Sequence, residues 1–293
     1  MSTQEESSRT IDNFGGGTFQ FSGANLDELD EIGVSQYSLF GLGVDVSGST
    51  SRFQKPMERA GNIILKASKL NQRADNMMLR SVAFSQNSFE VPTSKPGFQL
   101  LHDLCPGDFD PKDADDLPTV FNGEFKPIGS TALIEAGVNL ADSLRVYGGL
   151  MVDDNDYEVN GGLFLMTDGA NNSGKYPASD GSDNHHLKEA FDRIRAEEKI
   201  ESFAPYLIAV GCTNPTYRAA LEKLASDCEF TPVPHHDEAK RKAGETLPFL
   251  DVTDVSTSGL ARLAQWISES LSETSKALGS GGPSKPIAPS ASF

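Results

Sequence analysis

Asp45, Ser47 and Ser49 stand at spacing two where an apolar run, Leu39-Phe40-Gly41-Leu42-Gly43-Val44, gives way to hydroxyls and glycine. One carboxylate and two hydroxyls on a single loop are oxygen ligands of low total charge, the set that suits a hard cation such as Mg2+. Gly48 lets the backbone bend so that Ser47 and Ser49 aim at one point. The string Asp-x-Ser-x-Ser also arises by chance, and serine ahead of a helix most often serves as its cap. The metal reading therefore depends on what other elements bring to the same place.

Those elements follow from periodicity. Tyr37 to Asp45 reads as a buried strand, and residues 54 to 71 as an amphipathic helix with Met57, Ala60, Ile64 and Leu65 near one face. Met78 to Ser85 is a second strand, with a short antiparallel edge strand at Phe89 to Val91 stopped by Pro92. A long loop rich in Asp and Pro spans 103–126. Gly129-Ser130-Thr131 leads into a helix over 132–147, and an acidic loop at 153–158 precedes the strand Gly162 to Thr167, which ends in Asp168-Gly169. A helix capped by Asp183 or Asn184 runs to about Lys199, followed by a strand at 205–210 and a helix at 215–227 with proline in its first turn. Phe230 to Val233 reads as the last core strand, 235–247 as a polar excursion, 249–252 as short and extended, and 258–275 as a closing helix carrying Trp266.

Strands alternating with helices predict an α/β fold, a doubly wound, mostly parallel, Rossmann-like sheet with helices on both faces and one antiparallel edge strand. Ligands of such sheets bind beyond the carboxyl ends of the strands. Three loops meet there, beginning at Asp45, at Gly129 to Thr131 and at Asp168. The organisation expected is an arm over 1–35, with a short strand at 18–21 and an acidic turn at 25–32, then one domain over 36–275 with insertions near 103–126 and 235–247, and a flexible tail over 276–293.

The three motifs, Asp-Val-Ser-Gly-Ser (45–49), Gly-Ser-Thr-Ala-Leu (129–133) and Phe-Leu-Met-Thr-Asp-Gly (164–169), resemble in kind and order those of the von Willebrand factor type A (vWA) domain and its metal-ion-dependent adhesion site (MIDAS). The resemblance covers roughly residues 36 to 275. It implies hydroxyl ligands Ser47, Ser49 and Thr131 and carboxylates Asp45 and Asp168 around Mg2+, with Mn2+ or Ca2+ as substitutes. Neutral hydroxyls leave such a cation electrophilic, and its six-coordinate shell keeps one position for a carboxylate from a partner protein. The implied activity is binding rather than catalysis. Intracellular relatives of this kind often work with AAA-type ATPases or in stress and assembly complexes, which the resemblance extends to this chain as an expectation.

Composition sets the bounds. Of 293 residues, 38% are hydrophobic and 23% charged, ordinary for a globular chain, but the net charge of −17 makes nucleic acid and anionic membranes poor partners. No apolar run reaches a membrane span, and the polar first ten residues lack a signal-peptide core. Cys105, Cys212 and Cys228 are odd in number and widely spaced, which predicts reduced thiols and a cytoplasmic setting.

Other readings weigh less. A phosphoaspartyl phosphatase would use Asp45 as nucleophile but needs a second aspartate where Ser47 stands. No phosphate-binding Gly-x-x-x-x-Gly-Lys loop, dinucleotide fingerprint or Gly-x-Ser-x-Gly elbow is present, so no enzyme is expected. The acidic run 108–116 lacks the glycine and terminal glutamate of a calcium loop. His185-His186 and His235-His236 read as surface or capping residues, because neighbours in an extended chain point opposite ways. The main alternative is a metal-independent scaffold that binds through its arm, tail and long loops.

Overall fold

The computed structural model describes residues 10–12, 18–20, 35–110, 113, 115–278 and 286–289. Thr10–Asp12 (β1) and Thr18–Gln20 (β2) form a small antiparallel pair of their own. The main sheet is built on Gln36–Asp45 (β3), in which every residue after Gln36 is buried. Helices cover both of its sides, so the strand has no solvent face and its sequence runs apolar instead of alternating. Gln54–Lys69 (α1) follows through a 3-10 helix, Gly48–Phe53. Met77–Phe84 (β4) lies parallel to β3, and Ser88–Glu90 (β5) and Gln99–Leu100 (β6) pair antiparallel with the two ends of β4. The sheet thus has the antiparallel edge expected at Phe89, and a second short antiparallel strand besides.

Beyond a helical turn at Leu101–Leu104 (α2) come Leu133–Asn155 (α3) and Glu158–Thr167 (β7), the other parallel neighbour of β3. Asn184–Glu197 (α4), Ser202–Val210 (β8) and Pro215–Asp227 (α5) continue the alternation. Val233–Pro234 (β9) and Thr246–Leu247 (β10) form a separate hairpin around Glu238–Lys242 (α6). Leu250–Val252 (β11) then lies parallel to β8, and Thr257–Leu278 (α7) closes the described fold. The path across the sheet is β11-β8-β7-β3-β4-β5. Helices α3, α4 and α5 cover one face and α1 and α7 the other.

Two expectations are corrected. Phe230 to Val233 is not a strand of the main sheet: the Phe230 N–H closes the end of α5 on Ala225 O (3.0 Å), and its ring packs 5.3 Å from that of Phe191. The edge place goes to β11, where Leu250 and Val252 bury one face while Asp251 turns to Arg218. The helix after Thr131 also runs past Tyr147 to Asn155 and absorbs the first half of the expected acidic loop. Its Gly148 is a packing contact and not a break, since a methyl group there would lie 3.2 Å from Ile200. The strand after it begins at Glu158, four residues before Gly162. The acidic turn at 25–32 and most of the tail lie outside the described residues; within 286–289, Ile287 O accepts the Trp266 indole N–H (3.0 Å).

The loop over 103–126 is irregular as expected, but it is held along its length by polar side chains of α1. Glu58 Oε1 accepts the Phe125 N–H (3.2 Å), and the Asn62 amide bonds both N–H and C=O of Phe121 (3.0 Å each). The Lys66 ammonium donates to three carbonyls, of Asp110, Asp113 and Asp116 (2.7, 2.6 and 2.8 Å). These three residues recur every fourth position, which places them on one stripe of the helix. They let Phe121 and Phe125 bury their rings against the α1 face of the sheet.

Gly43 sets how closely α3 approaches the sheet. A methyl group at that position would stand 2.7 Å from Leu165 Cδ2 and 3.2 Å from Leu140 Cδ1. Overpacking of this kind costs about 1–3 kcal/mol, so Gly43→Ala is expected to lower the unfolding free energy by that amount, read in urea as a lower midpoint with an unchanged slope.

Candidate metal site and its neighbours among known folds

Three loops at the carboxyl edge of the sheet are stitched together by backbone hydrogen bonds. The Gly48 N–H donates to Gly129 O (2.9 Å), the Ile128 N–H to Val46 O (2.9 Å) and the Ala132 N–H to Ser85 O (2.7 Å). Gly129 takes φ +66°, a conformation in which glycine carries no penalty, and the turn delivers Thr131 to the site. The third loop joins through Asn172: its side chain accepts the Thr131 N–H (2.7 Å), while its own N–H and that of Ser173 return to Thr131 O (2.9 and 3.1 Å). Asn171 Oδ1 accepts the Ile134 N–H (3.2 Å) in the first turn of α3.

On this frame four of the five residues singled out from sequence, Asp45, Ser47, Ser49 and Asp168, are linked by hydrogen bonds. Ser47 Oγ and Ser49 Oγ are 3.0 Å apart, and the Ser49 hydroxyl donates to Asp168 Oδ1 (2.8 Å). Asp45 Oδ1 accepts the Ser47 N–H (2.8 Å) and its Oδ2 accepts the Thr167 hydroxyl (2.6 Å). Asp45, Ser47, Thr131 and Asp168 are buried, while Ser49 reaches the surface. The fifth, Thr131, is held through its backbone by Asn172 and Ser173 on the loop that follows Asp168. Sequence reasoning missed Thr167, Asn171 and Asn172. Thr167 and the two asparagines flank Asp168-Gly169, and short polar side chains beside a motif loop were the available signal.

Burial raises the Asp45 carboxyl from its ordinary 3.8 to about 6, against the lowering pull of the Thr167 and Ser47 hydrogen bonds and with a further push from Asp168. Burial likewise raises Asp168, opposed by the Ser49 hydroxyl and then by the Arg52 guanidinium. Two carboxylates close enough to repel, with the Ser47 and Ser49 hydroxyls between them and Thr131 on the adjoining loop, offer oxygen donors of the kind that fits a hard divalent cation. Among the described residues no cluster of three or more His, Cys, Asp or Glu offers the other common kind of metal site. The histidine pairs behave differently from the extended-chain expectation. His185 and His186 open α4 with their rings 3.9 Å apart, and the His235 and His236 rings stack at 4.4 Å. Each stays a surface feature, His185 Nδ1 lying 2.8 Å from Ser182 O.

Solved structures provide the comparison. A point mutant of the PilB minor pilin from Streptococcus sanguinis superposes with a TM-score of 0.50 at 11% identity, covering 85% of this chain and 64% of that one. A von Willebrand factor type A protein from Catenulispora acidiphila gives 0.47 at 13% identity, covering 81% and 43%. The vWF domain of the type V pili tip protein Mfa5 from Porphyromonas gingivalis gives 0.45 at 10% identity, covering 81% and 97%. The chain shares the α/β fold of the PilB minor pilin. The likeness is one of fold alone, and the chain spans less than two thirds of the Catenulispora and PilB chains. No family model matches the sequence, and no curated protein matches it.

This chain thus buries a carboxylate with no cationic side chain bonded to it, and that has a measurable cost. Below pH 3.8 Asp45 is protonated folded or unfolded; as pH rises to about 6 the unfolded chain ionises first, so stability falls across that window and stays lower above it. Asparagine keeps the acceptor for Ser47, and Thr167 can turn its hydroxyl to Gly169 O (3.0 Å). Asp45→Asn in chelator at pH 8 is expected to raise unfolding free energy by about 1–3 kcal/mol, with the gain vanishing near pH 4.

Proposed function

We propose that this chain is a protein-binding module that holds Mg2+, or Mn2+ or Ca2+ in its place, at Asp45, Ser47, Ser49, Thr131 and Asp168 and uses it to capture a carboxylate of a partner protein. The observation that carries the reading is the hydrogen-bonded line Ser47–Ser49–Asp168, which joins motifs 119 residues apart in the chain. When bound, the cation supplies a Lewis-acidic position for an incoming carboxylate oxygen. The chain's own residues do the rest. Thr167 and the Ser47 N–H fix both oxygens of Asp45, and Asn172 fixes the backbone of Thr131. Arg52 draws the Asp168 carboxylate toward its charged form. Asp45, with both oxygens engaged and little surface exposed, is poorly placed as a nucleophile, which favours binding over catalysis. We place this activity in the cytoplasm, in keeping with three buried cysteines that form no disulfide.

Calorimetric titration with MgCl2 tests the metal. Wild-type protein is expected to bind one equivalent, and Ser47→Ala and Thr131→Ala to lose the signal. Asn172→Ala, which reaches the site only through Thr131, should weaken binding by about tenfold. Pull-downs from native lysate in Mg2+, in chelator, and with Asp45→Ala in Mg2+ test the partner. Proteins captured only by wild type in Mg2+ are the expected result. Capture indifferent to metal and mutation would favour the scaffold reading.

A further inference from the structure

Two of the three exposed large hydrophobic residues among the described residues stand beside this site. Ile128 is 60% exposed and Tyr217 41%, whereas the third, Leu70 at 45%, lies at the far end of α1. Ile128 is fixed by its N–H bond to Val46 O, one residue before Ser47. Tyr217 rises from the first turn of α5, and a methyl group on Gly169 would lie 3.6 Å from its ring. The sheet order puts β8, which leads to Tyr217, on one side of β7 and β3, and the β3–β4 end that holds Ile128 on the other. The ligand loops therefore lie between two apolar side chains.

Charge singles out the same corner. The loops 46–53, 126–131, 169–175 and 211–218 carry Arg52, Lys126, Lys175 and Arg218 and no acidic residue, in a chain with 42 acidic and 25 basic ones. Arg218 is paired with Asp251 (2.8 Å), and Asp254 on the loop after β11 is taken up by Arg262 (2.9 Å). An anionic chain that keeps acids out of these loops avoids repelling an acidic visitor. Exposed apolar side chains inside such a rim are the usual anchors of an interface.

Resting on the proposed metal-dependent reading, we infer that the partner is a protein segment whose Asp or Glu is flanked on both sides by large apolar side chains. Its carboxylate goes to the metal corner, and its flanks pack on Ile128 and Tyr217. The test uses three synthetic peptides, blocked at both ends and titrated by NMR in millimolar Mg2+: Gly-Leu-Asp-Leu-Gly, Gly-Ser-Asp-Ser-Gly and Gly-Leu-Asn-Leu-Gly. The leucine-flanked aspartate is expected to bind about tenfold tighter than the serine-flanked one, equivalent to ~1.4 kcal/mol. The asparagine peptide should fail to bind. Ile128→Ser and Tyr217→Ser should each erode the preference for leucine while leaving the MgCl2 titration of the free protein unchanged. Equal binding of both aspartate peptides overturns the inference and leaves the metal reading standing, as does a preference that survives both substitutions. Binding of neither peptide overturns it too, and the MgCl2 titration then shows whether the metal reading falls with it.

Discussion

A carboxylate held out of water at the end of the central strand is the constraint around which this molecule is arranged. Asp45 carries two hydrogen bonds and no cationic side chain among its bonded partners, and the repulsion from Asp168 adds to the cost of its burial. Removing a charged group from water is unfavourable unless something of opposite sign or a dense set of donors meets it. Here the donors are the Ser47 N–H and the Thr167 hydroxyl, and each is located by a strand end. The stitching of the three loops follows from the same need, because the donors come from segments far apart in sequence.

Much of this was legible in the order of residues. The continuous apolar runs at 37–45 and 205–210 announce strands buried on both faces, and the three loop motifs sit where each strand or loop meets a helix. The tertiary partners were not legible. Phe230 to Val233 looks as strand-like as Leu250 to Val252, and only packing decides that one closes a helix while the other takes the sheet edge. The asparagines at 171 and 172 read as ordinary loop residues until Thr131 appears opposite them, 41 positions away for Asn172. The helix expected to stop at Tyr147 runs on through Gly148, where the lack of a side chain makes room for Ile200.

The electrostatics separate two scales. The whole chain is strongly anionic, which governs what approaches it from a distance, yet the loops that form the site carry cations at their margins. Three of the five proposed ligands are hydroxyls, so the pocket itself holds only two negative charges, both raised toward their neutral forms by burial. A site with modest charge and a neutral-to-basic surround repels an acidic ligand far less than the surface at large.

The stripe of Glu58, Asn62 and Lys66 on α1 reads as a solvent face but works as a rail that carries the loop over 103–126. An α-helix turns about 100° per residue. One residue inserted near the start of α1 would swing every downstream attachment around the helix and detach the whole loop in a single step. Residues added to the loop between its attachments would leave the rail untouched. The two partners of this contact therefore tolerate change in length very unequally, and the loop, not the helix, is where this fold has room to diversify.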